Sequence, residues 1–207
     1  QPRLDQEQRS RAGASASLQR AWRDCGSELR HVLRFTALFC LVGFFHPGLA
    51  AVMASSFIGP SPQDLGLFTS VLAAGSISGG LVLQRNSVWL SQRPALLLGT
   101  SALITSVAQL GLSRTGHPIW SLAMAFVIGA GTAVLLAGTN LIAQVGAPQV
   151  LRGRMAGLSQ IAFLGGGGIS GLLAAAMTMR WGLGPTCGVL GAIGVTIAAL
   201  ELVRRGR

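Results

Sequence analysis

Six apolar stretches, each about 20 residues long and separated by short breaks, run from Phe35 to Val203. A helix rises about 1.5 Å per residue, so that length crosses a hydrocarbon layer about 30 Å thick. The stretches read as Phe35 to Phe57, Asp64 to Leu83, Pro94 to Leu112, Ile119 to Gln144, Met155 to Met179 and Gly184 to Val203. Of the residues, 50% are hydrophobic and 11% charged, and no acidic residue lies between Asp64 and Glu201. A water-soluble fold would have no polar covering for so much apolar surface. The pattern predicts an all-α membrane protein with six transmembrane helices.

The net charge is +10, and all 16 basic residues are arginine. Arg3, Arg9, Arg11, Arg20, Arg23, Arg30 and Arg34 precede the first span. Arg85 and Arg93 flank the second loop, Arg152 and Arg154 the fourth, and Arg204, Arg205 and Arg207 close the chain; the odd-numbered loops hold only Arg114 and Arg180. The positive-inside bias then places both termini in the cytoplasm of a cell-membrane protein, which requires an even number of spans. Topology and attraction to the lipid leaflet account for this charge, and no nucleic-acid partner is expected, since no reading module accompanies it.

Cys25, Cys40 and Cys187 stand far apart, without a partner histidine at ligand spacing, so no metal, cofactor or structural disulfide is expected. Residues 1 to about 30 are polar and Arg-rich and lack the short apolar core of a secretory signal. They read as a cytoplasmic segment from within something longer, ahead of a six-helix domain over residues 31–207. Ser27 to Arg34 carries apolar residues on one side and arginines on the other. It either lies along the membrane surface or simply flanks the first span.

The second and fifth spans echo one another. Gly66-Leu67 precedes Ile77-Ser78-Gly79, and Gly157-Leu158 precedes Ile169-Ser170-Gly171 at nearly the same distance. Three spans followed by three related ones is a common plan of transporter halves. Gly75 and Gly79, and again Gly167 and Gly171, put small residues four apart on one helix face. Such faces serve close packing and sliding alike. The run Gly165 to Gly168 is expected to soften the fifth helix.

Polar groups inside a membrane are costly and mark candidates for function. His46 sits beside Pro47 and Gly48, where proline removes a backbone hydrogen bond and kinks the helix. The histidine either relays a proton or bonds to a carbonyl freed by the kink. Thr132, Thr139, Asn140 and Gln144 share faces of the fourth span, toward either a water-filled cavity or a neighbouring helix. Glu201 is expected to pair with Arg204 and Arg205 as a solvated end charge. Proton coupling would then draw on His46 or on an acid outside the six spans.

An enzymatic reading rests on Gly168-Ile169-Ser170-Gly171, the GxSG form of rhomboid-type intramembrane proteases. That chemistry needs a histidine on a later helix, whereas His31, His46 and His117 all precede Ser170. No P-loop, zinc motif or dinucleotide fingerprint offers a better case, so no catalytic residue is expected.

The segment Pro148 to Leu158 contains Arg152-Gly153-Arg154 followed by Gly157-Leu158. It resembles the connection between the tenth and eleventh helices of major facilitator superfamily transporters, in the branch of the enterobactin exporter and related secretion carriers. Glu28-Leu29-Arg30-His31-Val32, Gln63 to Phe68 and Arg93-Pro94 resemble the same branch in the expected order, so the likeness covers about residues 27 to 205. Gly80 to Arg85 is similar to the family's G-x-x-x-D-R loop, with Gln84 in place of the aspartate.

The resemblance implies that the six spans are the seventh through twelfth helices of a carrier. Residues 1 to about 30 would then be its central loop, and an N-terminal six-helix half, or a second copy, the missing partner. It makes the first and fourth spans the lining of a central cavity holding His46, Thr132, Thr139 and Asn140, and turns the second and fifth toward the missing half. Arg85, Arg152 and Arg154 become either anchors or parts of a cytoplasmic gate. The function so implied is proton-coupled export of a small organic substrate by alternating access. A non-transporting six-span scaffold is the alternative.

Overall fold

The computed structural model describes residues 22, 26–86, 88, 92–114, 116–147 and 149–205. The expectations for residues 1 to about 25, including Cys25, therefore lie outside the described residues. The first segment is two helices, α1 (Ser27–Gly43) and α2 (Ala50–Phe57). Then follow α3 (Pro62–Arg85), α4 (Pro94–Ser113) and α5 (Pro118–Val145). A short 3-10 turn at Gln149–Leu151 leads into α6 (Arg152–Gln160), which passes through a π-helical stretch, Ile161–Gly165, into α7 (Gly166–Trp181). The last helix is α8 (Leu183–Arg205). Five helices are long and apolar enough to cross a membrane: α3, α4, α5, the continuous run Arg152–Trp181, and α8. The protein is a helical membrane protein.

Local chemistry sets the helix starts. Pro62, Pro94 and Pro118 each open a helix at its first turn, where the missing N–H removes no bond. Ahead of α3, Asp64 N–H donates to Ser61 Oγ at 3.2 Å while Asp64 Oδ2 accepts from Ser61 N–H at 3.0 Å, a reciprocal capping box. His117 Nδ1 accepts from Ile119 N–H at 3.4 Å ahead of α5. Inside the helices Ser101, Thr105 and Ser106 each donate to the carbonyl four residues back, which satisfies hydroxyls that have no water to bond.

The helices pack in a definite order. α4 lies along α8 and α5, and α5 lies along α3; α1 touches α7, α8, α4 and α5, and α2 touches α3. α4 is the central helix, with 56% of its apolar window buried against 17% for α3 and 22% for Arg152–Trp181. The last two therefore carry the exposed apolar faces, including Ile77, Leu81, Ile169 and Leu172. Two apolar clusters fill the bundle. One lies around Phe35, Phe39, Leu97 and Met155, the other around Phe45, Met53, Phe68 and Leu190.

Three expectations are corrected here. Phe35 to Phe57 is not one kinked helix: the chain leaves helical geometry from Phe44 to Leu49. Ser27 to Arg34 is neither a surface helix nor a bare flank, because it forms the first two turns of α1 with Leu29, Val32 and Leu33 buried. Arg152-Gly153-Arg154 is the first turn of α6 rather than a loop.

Candidate functional site

The break in the first segment follows from one missing atom. In a continuous helix the N–H of residue 47 would bond to the Gly43 carbonyl, and Pro47 has none. The orphaned Gly43 oxygen accepts instead from Gln109 Nε2 at 2.6 Å, across from α4. Gln109 is fully buried, and its Oε1 has no hydrogen-bond partner among the described residues. The sequence reading gave a freed carbonyl to His46, and the His46 ring does meet the Gly43 carbonyl; Gln109 is a further donor to the same oxygen. Its signal was present, as the one amide side chain of α4, but the partner lies 66 residues away.

A second irregularity faces the break. The π-helical stretch Ile161–Gly165 brings Phe163 against Phe44, with ring centroids 4.2 Å apart, and the His46 ring stands edge-on to Phe44 at 5.0 Å. Gly167 lies so close to the Phe44 ring that a side chain there would collide with it, and Gly48 and Gly171 meet backbone to backbone. A cleft of about 410 Å³ runs along this junction, lined by Phe44, Pro47, Gly48, Leu164, Gly167 and Leu172 among others. Backbone that departs from α-helix at membrane depth persists only where protein or a cavity satisfies its polar groups. π-Helical turns inside helices are frequently functional.

His46 is buried, and its Nδ1 has no hydrogen-bond partner among the described residues; the same holds for Thr132 Oγ1 and Ser170 Oγ. Thr139 and Asn140 bond to neighbouring helices. Thr139 Oγ1 donates to Leu135 O at 2.8 Å and accepts from Thr36 Oγ1 on α1 at 2.9 Å. Asn140 Oδ1 accepts a short hydrogen bond from Ser159 Oγ on α6. The fourth span is thereby tied to the first and the fifth.

The glycine faces point inward, not toward a missing half. A Cβ at Gly75 would strike the carbonyl of Phe126, and one at Gly79 that of Ala130, so α3 and α5 cross backbone on backbone. Gly167 and Gly171 face the break in the same way, Gly167 against the Phe44 ring and Gly171 against the Gly48 backbone. What α3 and α7 leave outward are large apolar side chains.

At the end of the bundle where α1 starts and α8 stops, Glu201 is 6% exposed and its two oxygens lie 2.9 and 2.8 Å from His31 Nε2. This corrects the expected solvated end charge: Glu201 is buried and faces inward to α1, while Arg204 is exposed; a pairing with Arg205 lies outside the described side chains. Arg85, Arg152 and Arg154 are exposed too, and Arg152 Nε reaches the Ala147 carbonyl at 3.5 Å. No ion pair between these three and a carboxylate is formed among the described residues. No group of three or more His, Cys, Asp or Glu with metal-site spacing occurs among the described residues.

The chain matches no family model, no curated protein and no solved structure.

Proposed function

We propose that this chain is a six-span half-bundle of a major facilitator type carrier, moving a small organic compound out of the cytoplasm by alternating access. The observation that carries the reading is a repeated contact. Gly75 and Gly79 meet Phe126 and Ala130, and in the other half Gly167 and Gly171 meet Phe44 and Gly48. The same spacing of four recurs on both sides of both contacts, so the second helix on the fourth is matched by the fifth on the first. The wider packing follows the same exchange. α4 on α5 is matched by α8 on α1, α2 on α3 by α5 on α6, and α4 on α8 is its own counterpart. Two related three-helix units are the plan of such carriers.

Parity supports six crossings. His31 and Glu201 are bonded, so they lie on one side of the bundle. Five long helices alone would leave them on opposite sides, and the broken first segment supplies the sixth crossing. The resemblance of Arg152-Gly153-Arg154 and its surroundings to the carrier family adds the substrate class and a proton as coupling ion. Broken helices beside glycine-rich ones are where such carriers bind and move. His46, Gln109 and Thr132, buried with unpartnered polar atoms, are the groups offered to a substrate or to water.

The test is transport by the reading frame that contains this chain, reconstituted in vesicles with ethidium as probe. A carrier loses flux on Thr139→Ala or Asn140→Ala with its expression unchanged, whereas a scaffold has no flux to lose. Ser170→Ala leaves the flux intact and checks the protease alternative at the same time.

A further inference from the structure

We propose that His31 and Glu201 form a proton-binding site joining the first helix to the last. Glu201 is the one carboxylate in residues 65–207, and it is buried, although the end of α8 offers open water one turn further on. Placing a carboxylate at 6% exposure is costly unless a partner offsets it, and a well-packed apolar pair would serve stability as well. The partner chosen is histidine, the side-chain type that changes charge around neutral pH. His31 is 35% exposed and Glu201 6%, so the imidazole is the member water reaches and the carboxylate the member sealed in the bundle.

The proton accounting is simple. In the unloaded pair a neutral imidazole donates its Nε2–H to the carboxylate, and the pair is net negative. A proton taken from water onto the other ring nitrogen gives imidazolium and carboxylate, net neutral. The same proton returns to water on release, and no other bond changes. Loading puts a positive charge on the donor of a bond whose acceptor is already ionised, which turns it into an ion pair and tightens α1 against α8.

Charged residues on the elements packed around the pair are Glu28, Arg30 and Arg34 on α1, Arg204 and Arg205 on α8, Arg93 at the cap of α4, and Arg152 and Arg154 at the start of α6. α5 has none. The arginines outnumber the single further carboxylate. α1 is also the helix whose far end is broken at Phe44. A contact that tightens or slackens its start therefore acts on a helix that the break separates from α2.

Proton binding by the pair stands on this geometry alone, while its use in coupling rests on the carrier reading. The first measurement is histidine ring NMR of the full chain in lipid nanodiscs, with the His31 signals assigned by their loss in His31→Gln. The expected result is a downfield Nε2–H signal, typical of imidazole held by a carboxylate, that changes on mild acidification and is lost in Glu201→Gln while His117 is unaltered. A His31 signal that does not respond to pH, or that is the same in Glu201→Gln, overturns the proposal and leaves the carrier reading to find another acid. The second measurement is the distance between spin labels at Arg34→Cys and Arg204→Cys, both exposed positions. A distance that shortens on acidification, and no longer does so in Glu201→Gln, supports the tightening; a constant distance overturns it. Absence of ethidium flux with both of these responses present would sink the carrier and spare the proton site.

Discussion

The contact of α3 with α5 and that of α7 with the first segment use the same glycine spacing and differ in what the glycines meet. Gly75 and Gly79 press on the carbonyls of Phe126 and Ala130, two fixed points of a continuous helix. Gly167 presses on the Phe44 ring and Gly171 on Gly48, within a stretch that Pro47 has taken out of helical geometry. One contact is rigid against rigid. The other sets a ring and a turn against the start of α7, just past the π-helical stretch. The two contacts thus share a spacing and differ in whether the backbone on both sides is regular helix.

The largest expected effect separates these contacts directly. Gly75→Leu or Gly79→Leu drives a side chain into backbone and should lower stability by about 3 kcal/mol. Gly167→Leu meets a ring that can swing aside and should lower it by about 1 kcal/mol. Reversible unfolding in mixed detergent micelles reads both, and equal losses would break the comparison. Next is the repair of the break. Gln109→Leu removes the donor that reaches the Gly43 oxygen from α4 and should cost about 1 kcal/mol. Adding Pro47→Ala restores an N–H four residues on, and the double variant should recover most of the loss. Without recovery, the break owes its shape to something other than the proline.

The helix starts differ too. α3 begins on a capping box, whereas the N-cap of α6, Leu151, makes no side-chain cap bond. Ser61→Ala should lower stability by about 1 kcal/mol and bring the two starts level. The smallest effect is the tie between halves. A double-mutant cycle on Thr36→Val and Thr139→Val should give a coupling energy of about 0.6 kcal/mol, as interhelical hydrogen bonds in membranes average. A coupling near zero would make Thr139 a cavity residue rather than a strut.

Much of the fold was legible from the chain because it depends on neighbours in sequence. Apolar length gave the spans, with α3 and α5 starting at Pro62 and Pro118, just ahead of the expected Asp64 and Ile119, and His46-Pro47-Gly48 marked the place where the first segment fails. The candidate site was legible as a location and not as a set of bonds. Asn140 could be read as polar in an apolar helix, but Ser159 and not a cavity holds its side-chain oxygen. The same limit explains Glu201, which three arginines within six residues made look like an end charge.

By itself, then, the sequence determined which segments are helical, how long they are and where the first one breaks, since hydrophobic length, proline and glycine act through the local backbone. Tertiary structure alone decided that Gln109 completes the break, that Gly75 and Gly79 face inward, and that Glu201 turns to His31. Those choices join residues as far as 170 positions apart, and which polar or small groups meet is set by how helices lie side by side, which no local pattern encodes.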